Sequence, residues 1–400
     1  MTEPSDDDDL DPPPDPLPPQ RGGTPDPSHI VGRDHLVRML WAWLLAGESL
    51  VITSERRTGK TATLRLLEAS APAGTIVIYR DVEGITSPEK LVESLTADVV
   101  GKLGGLAKAK TKMRDWIIRL GGLEVGPVTL PKLTRRDWAL HLDELFVHAA
   151  DHGLTVVILW DEMPWLVDRL AKTQGSAVAI EVLDQLRAVR QSHRSVRFVF
   201  TGSIGFHHVL RTLRDGLSHR TAINDMRQVE LPDLAQPDAT RLAWSLLRGA
   251  GLETESTPAV AAAIAAITDG VPWFIHAIVD DLRTRGGTAD LEAVETVVDA
   301  AILGSGWELS HYIERLAHYY GEDWKLAAAT LDAIAVNPQA TTAAILQDLH
   351  HQQVSIEKDQ LLDLLKLLTD DQYLLRLGRS DWGFRYGLVQ RAWLALRDLP

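Results

Sequence analysis

The stretch Leu50-Val51-Ile52-Thr53-Ser54-Glu55-Arg56-Arg57-Thr58-Gly59-Lys60-Thr61-Ala62-Thr63-Leu64-Arg65-Leu66-Leu67 decides the fold. Residues 50–52 are an apolar run that reads as a strand, and 62–67 read as a helix. A tight loop ending in Gly-Lys-Thr therefore joins strand to helix, the context a Walker A motif requires. Backbone N–H groups of Arg57, Thr58, Gly59, Lys60, Thr61 and Ala62, with the positive end of the helix dipole, would cradle phosphate oxygens. Gly59 allows close backbone approach, Lys60 would reach the β- and γ-phosphates, and the Thr61 hydroxyl would ligate Mg²⁺. Ser54 stands where such loops usually begin with Gly, a change expected to loosen nucleotide binding or slow hydrolysis.

Working outward, 400 residues with 45% hydrophobic content can bury a sizeable core divided into two or three domains. The absence of cysteine excludes disulfides, thiolate metal sites and cysteine nucleophiles. No apolar run approaches the ~20 residues that span a bilayer, and no signal-peptide pattern opens the sequence. The expectation is a cytoplasmic protein without a membrane partner. The formal charge of -14 argues against broad nucleic-acid binding. Half of it is local, since residues 1–28 carry eight acids, one Arg and nine prolines. That composition reads as a disordered acidic tail.

Beyond it, Gly74–Tyr79 reads as a second strand and Ser87-Pro88-Glu89 as a helix start. A lysine-spaced run (Lys102, Lys108, Lys110, Lys112) reads as a solvated helix face, and 121–130 alternates like a hairpin. Asp137–His152 and Ala179–Ser192 read as helices. Thr155–Trp160 and Val196–Phe200 are apolar runs suited to buried parallel strands. Strands alternating with helices imply a parallel sheet, whose ligands bind at the carboxyl ends of its strands. Asp161-Glu162 and Thr201/Ser203 fall at those ends with the loop. An apolar strand followed by Asp-Glu, about 100 residues after the loop, is a Walker B pattern: Asp161 would hold Mg²⁺, and Glu162 would act as general base. An acidic pair at a strand end is ordinarily a solvated turn; order and sheet context favour the nucleotide reading. The pairs His207-His208 and His350-His351 are sequence neighbours that share no helix face, so neither suits metal chelation.

After Leu231 the patterns are helical. Asp238–Gly249, Pro258–Thr268, Pro272–Arg283 and 291–320 suggest a lid and linker. Helices over 324–336, 341–350 and 358–368, a hairpin over 373–386 and a helix over 388–397 suggest a winged helix-turn-helix.

Val31-Gly32-Arg33-Asp34, Arg56–Thr61, Ile158–Glu162, Thr201-Gly202-Ser203, Gly270-Val271-Pro272 and Phe384–Trp393 together resemble the STAND-type, archaeal-type AAA+ ATPases over residues 29–400. The resemblance implies an α/β P-loop NTPase core at 29–230, a helical lid at 231–320 and a winged-helix domain at 321–400, with ATP or ADP and Mg²⁺ as ligands. It further implies that Val31 and Gly32 border the adenine, that Ser203 or Thr201 senses the γ-phosphate, and that Pro272 touches the nucleotide from the lid. Asp81 matches an acidic position of the family. No Arg stands beside Gly270-Val271-Pro272. Of the arginines between Arg211 and Arg220, Arg220 is the candidate to complete a site in trans.

The leading functional expectation is a slowly hydrolysing, nucleotide-controlled switch whose output runs through a protein partner or self-association. The alternatives are an ATP-controlled winged-helix DNA-binding protein and a nucleotide-binding scaffold without turnover. Residues 322–400 hold eleven acids against eight Lys/Arg. The would-be recognition helix is Leu-rich, with three acids and two lysines over 357–368. DNA affinity rests on phosphate neutralisation, so this balance disfavours DNA.

Overall fold

The computed structural model describes residues 14–103, 122–125, 128–131, 137–150, 155–202, 206, 209–210, 213, 223–304 and 306–400. Two units emerge. One comprises Arg33–Arg56 and Lys60–Leu231; the other comprises the residues up to Gly32, Arg57–Gly59 and Pro232–Pro400.

The first unit runs α1 (Asp34–Leu45), β1 (Leu50–Thr53), α2 (Lys60–Ala69), β2 (Thr75–Asp81), α3 (Pro88–Leu103), β3 (Gly122–Val125), β4 (Val128–Pro131), α4 (Trp138–Ala150), β5 (Thr155–Asp161), α5 (Met163–Gln174), α6 (Ser176–Ser192), β6 (Val196–Thr201) and β7 (Arg227–Glu230). Five strands form one parallel sheet in the order β2-β5-β6-β1-β7, and β3 and β4 pair antiparallel as the expected hairpin. Successive strand residues face opposite sides, so a sheet covered on both faces needs apolar runs rather than alternation. On one face Leu50, Ile52, Val157, Leu159 and Val199 pack with Leu40 and Leu44 of α1 and Leu64 and Leu67 of α2. The intervening positions carry large rings: Trp160 and Phe200 stack at 5.9 Å, and Phe198 meets Trp160 edge-on at 5.5 Å. Such pairs each add about 0.5–1.5 kcal/mol beyond area burial.

The second unit contains α7 (Gln236–Gly249), α8 (Thr257–Ile267), α9 (Pro272–Arg285), α10 (Leu291–Leu303), α11 (His311–Tyr320), α12 (Trp324–Val336), β8 (Ala340–Thr341), α13 (Thr342–His351), α14 (Lys358–Asp370), β9 (Leu374–Arg376), β10 (Asp381–Phe384) and α15 (Gly387–Leu396). Its three strands form an antiparallel sheet, β8-β10-β9. A single apolar cluster runs from Leu234 to Trp393, so the helices after 232 and the small sheet share one core. Buried Arg315 ties α11 to the turn before β9, donating to Tyr373 Oη and Asp371 O, both at 3.2 Å.

Residues 14–28 depart from the expected disordered tail. Leu17 packs on the second unit's core, and its N–H donates to Ser245 O at 2.9 Å. Proline-rich chain has little conformational entropy to lose, so a few specific anchors suffice to lay it down.

Candidate functional site

In the first unit the strands run parallel, so the loop after β1 and the ends of β2, β5 and β6 share one edge of the sheet. The register sets Asp81 beside Asp161 and Ile52 beside Thr201. β6 lies between β1 and β5, which carries Thr201 to the space between the loop strand and Asp161.

The loop itself turns through two left-handed residues, Arg57 (φ 73°) and Gly59 (φ 94°). Gly59 adopts this freely, whereas Arg57 spends roughly 1–2 kcal/mol doing so. Ser54 is absent from the left-handed set, so the backbone there accepts a side chain without strain. That is why Ser can replace the usual first Gly. Lys60 opens α2 and is buried; its Nζ donates to Glu55 O at 2.7 Å and Ser54 O at 3.0 Å. Burial pushes the Lys60 ammonium below its ordinary pKa, while the carboxylates of Glu55, Glu162 and Asp161 oppose that shift.

Asp161 is buried at the end of β5. A buried carboxylate is costly unless hydrogen bonded, and this one is well supplied. The Thr61 hydroxyl donates to Oδ2 at 2.5 Å, the Thr201 hydroxyl to Oδ1, and the Glu162 N–H to Oδ1 at 3.1 Å. Tyr79 Oη lies 3.4 Å from Oδ2, under the Arg65 guanidinium that sits 3.5 Å from its ring centre. Burial and then the Asp161 charge push the Tyr79 hydroxyl well above its ordinary pKa, so it stays a neutral donor. Glu162 follows in the left-handed region (φ 60°) and serves as N-cap of α5 without capping it through its side chain. Its carboxylate is half-buried. Asp81 is exposed and its Oδ1 accepts from the Glu83 N–H at 2.8 Å.

Lys60, Thr61, Asp161 and Thr201 are therefore brought together, with Glu162 adjacent and Ala62 in the first turn of α2. Thr61 and Asp161 supply paired hard oxygens and Lys60 a buried cation, a donor set that fits a Mg²⁺-bound polyphosphate. Ser203 and Arg220 lie outside the described residues. Tyr79 and Arg65 had no sequence signal, because only the β2–β5 register reveals their proximity to Asp161.

The remaining expected residues belong to the second unit. Val31 packs on its core. Gly32 (φ 72°) has no room for a side chain, since a Cβ would lie 2.7 Å from Asp238 Cβ. Pro272 starts α9, where its missing N–H costs nothing. Arg57, Thr58 and Gly59 pack in this unit too. The Arg57 guanidinium stacks 3.9 Å from the Trp273 ring centre and donates to Trp307 O at 2.6 Å and Glu308 Oε2 at 2.9 Å.

Residues 46–210 match a family model described as an AAA domain. The chain is similar to a Walker-type ATPase of Pyrococcus abyssi (TM-score 0.62, 18% identity, 91% of this chain and 96% of that one covered). It is also similar to the ORC2 protein of Aeropyrum pernix, solved as ADPNP–ADP complexes (TM-score 0.52, 13% identity, 91% and 93% covered). No curated protein matches the chain. The parallel five-stranded sheet with its helices has the AAA+ P-loop NTPase fold, followed by a largely helical C-terminal region. Among the described residues no helix is long and apolar enough to cross a membrane.

Proposed function

We propose that the protein is a STAND-like AAA+ switch that binds ATP or ADP with Mg²⁺ and hydrolyses ATP slowly in the cytoplasm, its nucleotide state controlling domain packing and contact with a protein partner or a second copy. The observation that carries this reading is the convergence of Lys60, Thr61 and Thr201 on Asp161 and the loop carbonyls at one sheet edge. Bound Mg²⁺ would neutralise phosphate charge, with Thr61 and Asp161 as its protein ligands. Lys60, now held by the Ser54 and Glu55 carbonyls, would exchange these for phosphate oxygens, regaining for its charge what burial costs it. Thr201 and the Glu162 N–H keep the Asp161 carboxylate oriented, so no rearrangement of Asp161 is needed when the ligand arrives. Glu162 would accept the proton of the attacking water at its carboxylate. Val31, Gly32, Pro272 and Ser203 are proposed nucleotide contacts, and Arg220 a contributor in trans. The domain boundaries proposed are 29–230 for the ATPase core, 231–320 for the lid and 321–400 for the winged helix.

Glu162→Gln tests the reading. Nucleotide binding should survive, because metal ligation needs only Asp161, while turnover should fall roughly 10²–10⁴-fold, the usual contribution of a general base. Turnover within threefold of wild type would assign the base elsewhere.

A further inference from the structure

Residues 14–32 run along α7 and α9 of the second unit with anchors that a solubilising tail does not need. Gln20 N–H donates to Nδ1 of His276 at 3.0 Å, and the Trp273 indole N–H donates to Arg21 O at 2.8 Å. The Arg21 guanidinium donates to Ala277 O at 3.0 Å, pairs with Asp280 at 2.8 Å and bonds Asp281. Near the end of α7 stands Gly249, where any Cβ would collide with the carbonyl of Leu17.

These anchors close a ring around Arg57. Arg21 O fixes the Trp273 indole, whose face carries the Arg57 guanidinium. Arg21 also holds Asp281, whose Oδ2 accepts the Trp307 indole N–H at 2.8 Å. Trp307 O in turn accepts from Arg57 at 2.6 Å. Arg57 sits in a left-handed conformation that an L-residue keeps only when its surroundings over-determine it. The ring supplies that over-determination from two sides.

We propose that Arg21 is a positioning residue of the phosphate loop: through Trp273 and through Asp281–Trp307 it fixes Arg57, three residues before Lys60, and thereby presets the loop for a nucleoside di- or triphosphate. This rests on the nucleotide reading of the loop. The N-terminal segment is then part of the nucleotide-binding apparatus. A merely structural strap would stabilise α7 and α9 without dependence on Arg57.

The test is a double-mutant cycle in the full chain, read as affinity for labelled ADP. Arg21→Ala, which removes the arm through Asp281 and Trp307 and keeps the carbonyl that holds Trp273, should weaken binding by roughly three- to thirty-fold, the range of couplings carried by such networks. Arg21→Lys, which keeps the pairs with Asp280 and Asp281, should restore most of it. In an Arg57→Ala background, Arg21→Ala should have no further effect. An Arg21→Ala protein that binds as wild type does, or an equal loss with and without Arg57, overturns the proposal. Should Arg21→Ala not fold, Trp273→Phe replaces it, keeping the ring face and losing the indole donor, with the same dependence on Arg57 expected and the same contrary results. A wild-type protein that binds no ADP would overturn the nucleotide reading and this proposal with it, whereas normal wild-type binding with no Arg21–Arg57 coupling overturns this proposal alone.

Discussion

Asp161 shows how a single residue organises the site. Its burial would be prohibitive without Thr61, Thr201 and the Glu162 N–H, and each hydrogen bond to a charged group is worth about 1.5–3 kcal/mol net. Thr201→Val keeps the shape and removes one donor, leaving a buried carboxylate oxygen short of a partner. Denaturant unfolding should show a loss of about 1–3 kcal/mol; unchanged stability would mean that Thr201 does not support Asp161. Lys60, Thr61 and Asp161 were legible because loop and strand motifs name them. Tyr79 and Arg65 were not, because their approach to Asp161 depends on a strand register that no local pattern encodes. Thr201 and Ser203 both stood in the sequence as candidates; Thr201 bonds Asp161, and Ser203 lies outside the described residues.

At the scale of elements, α9 carries His276, Trp273, Asp280 and Asp281. His276 on this helix accepts from the Gln20 N–H, which requires a neutral ring, and burial pushes its pKa down to about 4 against an opposing pull from Asp280. A histidine with a lowered folded pKa binds fewer protons folded than unfolded between about pH 4 and 6.5. Its contribution is therefore intact above about pH 6.5 and lost as pH falls through that window, to an extent of order 2–3 kcal/mol. His276→Gln keeps an acceptor and removes the titration. Thermal unfolding from pH 7 down to pH 4.5 should show a steeper loss in wild type than in this variant, and parallel curves would exclude the role. Among the described elements, β7, α5 and the two-residue β8 escaped the sequence reading. β7 has burial only at Val229 and sits at the sheet edge beyond β1, so it lacks an apolar run. α5 begins with Pro164 in its first turn, directly after the acidic pair, where the sequence looks like a break.

For the whole molecule, the alternation of apolar strands and helices announced the parallel sheet, and its Gly-Lys-Thr and Asp-Glu ends mark the candidate binding edge. For residues 14–28 composition was a poor guide, because it speaks to what a chain can bury by itself. Residues 14–28 instead borrow a surface already built by α7 and α9. The excess of acids over 322–400 leads us to expect negligible binding of random duplex DNA by the full protein at physiological salt. A mobility-shift assay showing micromolar affinity would favour a DNA-binding role.

The central claim is that the loop before α2 binds nucleotide phosphates, and titration of labelled ATP against wild type and Lys60→Ala tests it most directly. Lys60 is buried and held by the Ser54 and Glu55 carbonyls and the Ser54 hydroxyl, outside the apolar core, so its loss should leave the fold intact while abolishing tight binding. Saturable binding by wild type with at least a roughly hundredfold loss in the variant, about the strength of one charge-assisted contact, is the predicted result. Equal affinities for the two proteins, or none for wild type, would contradict it.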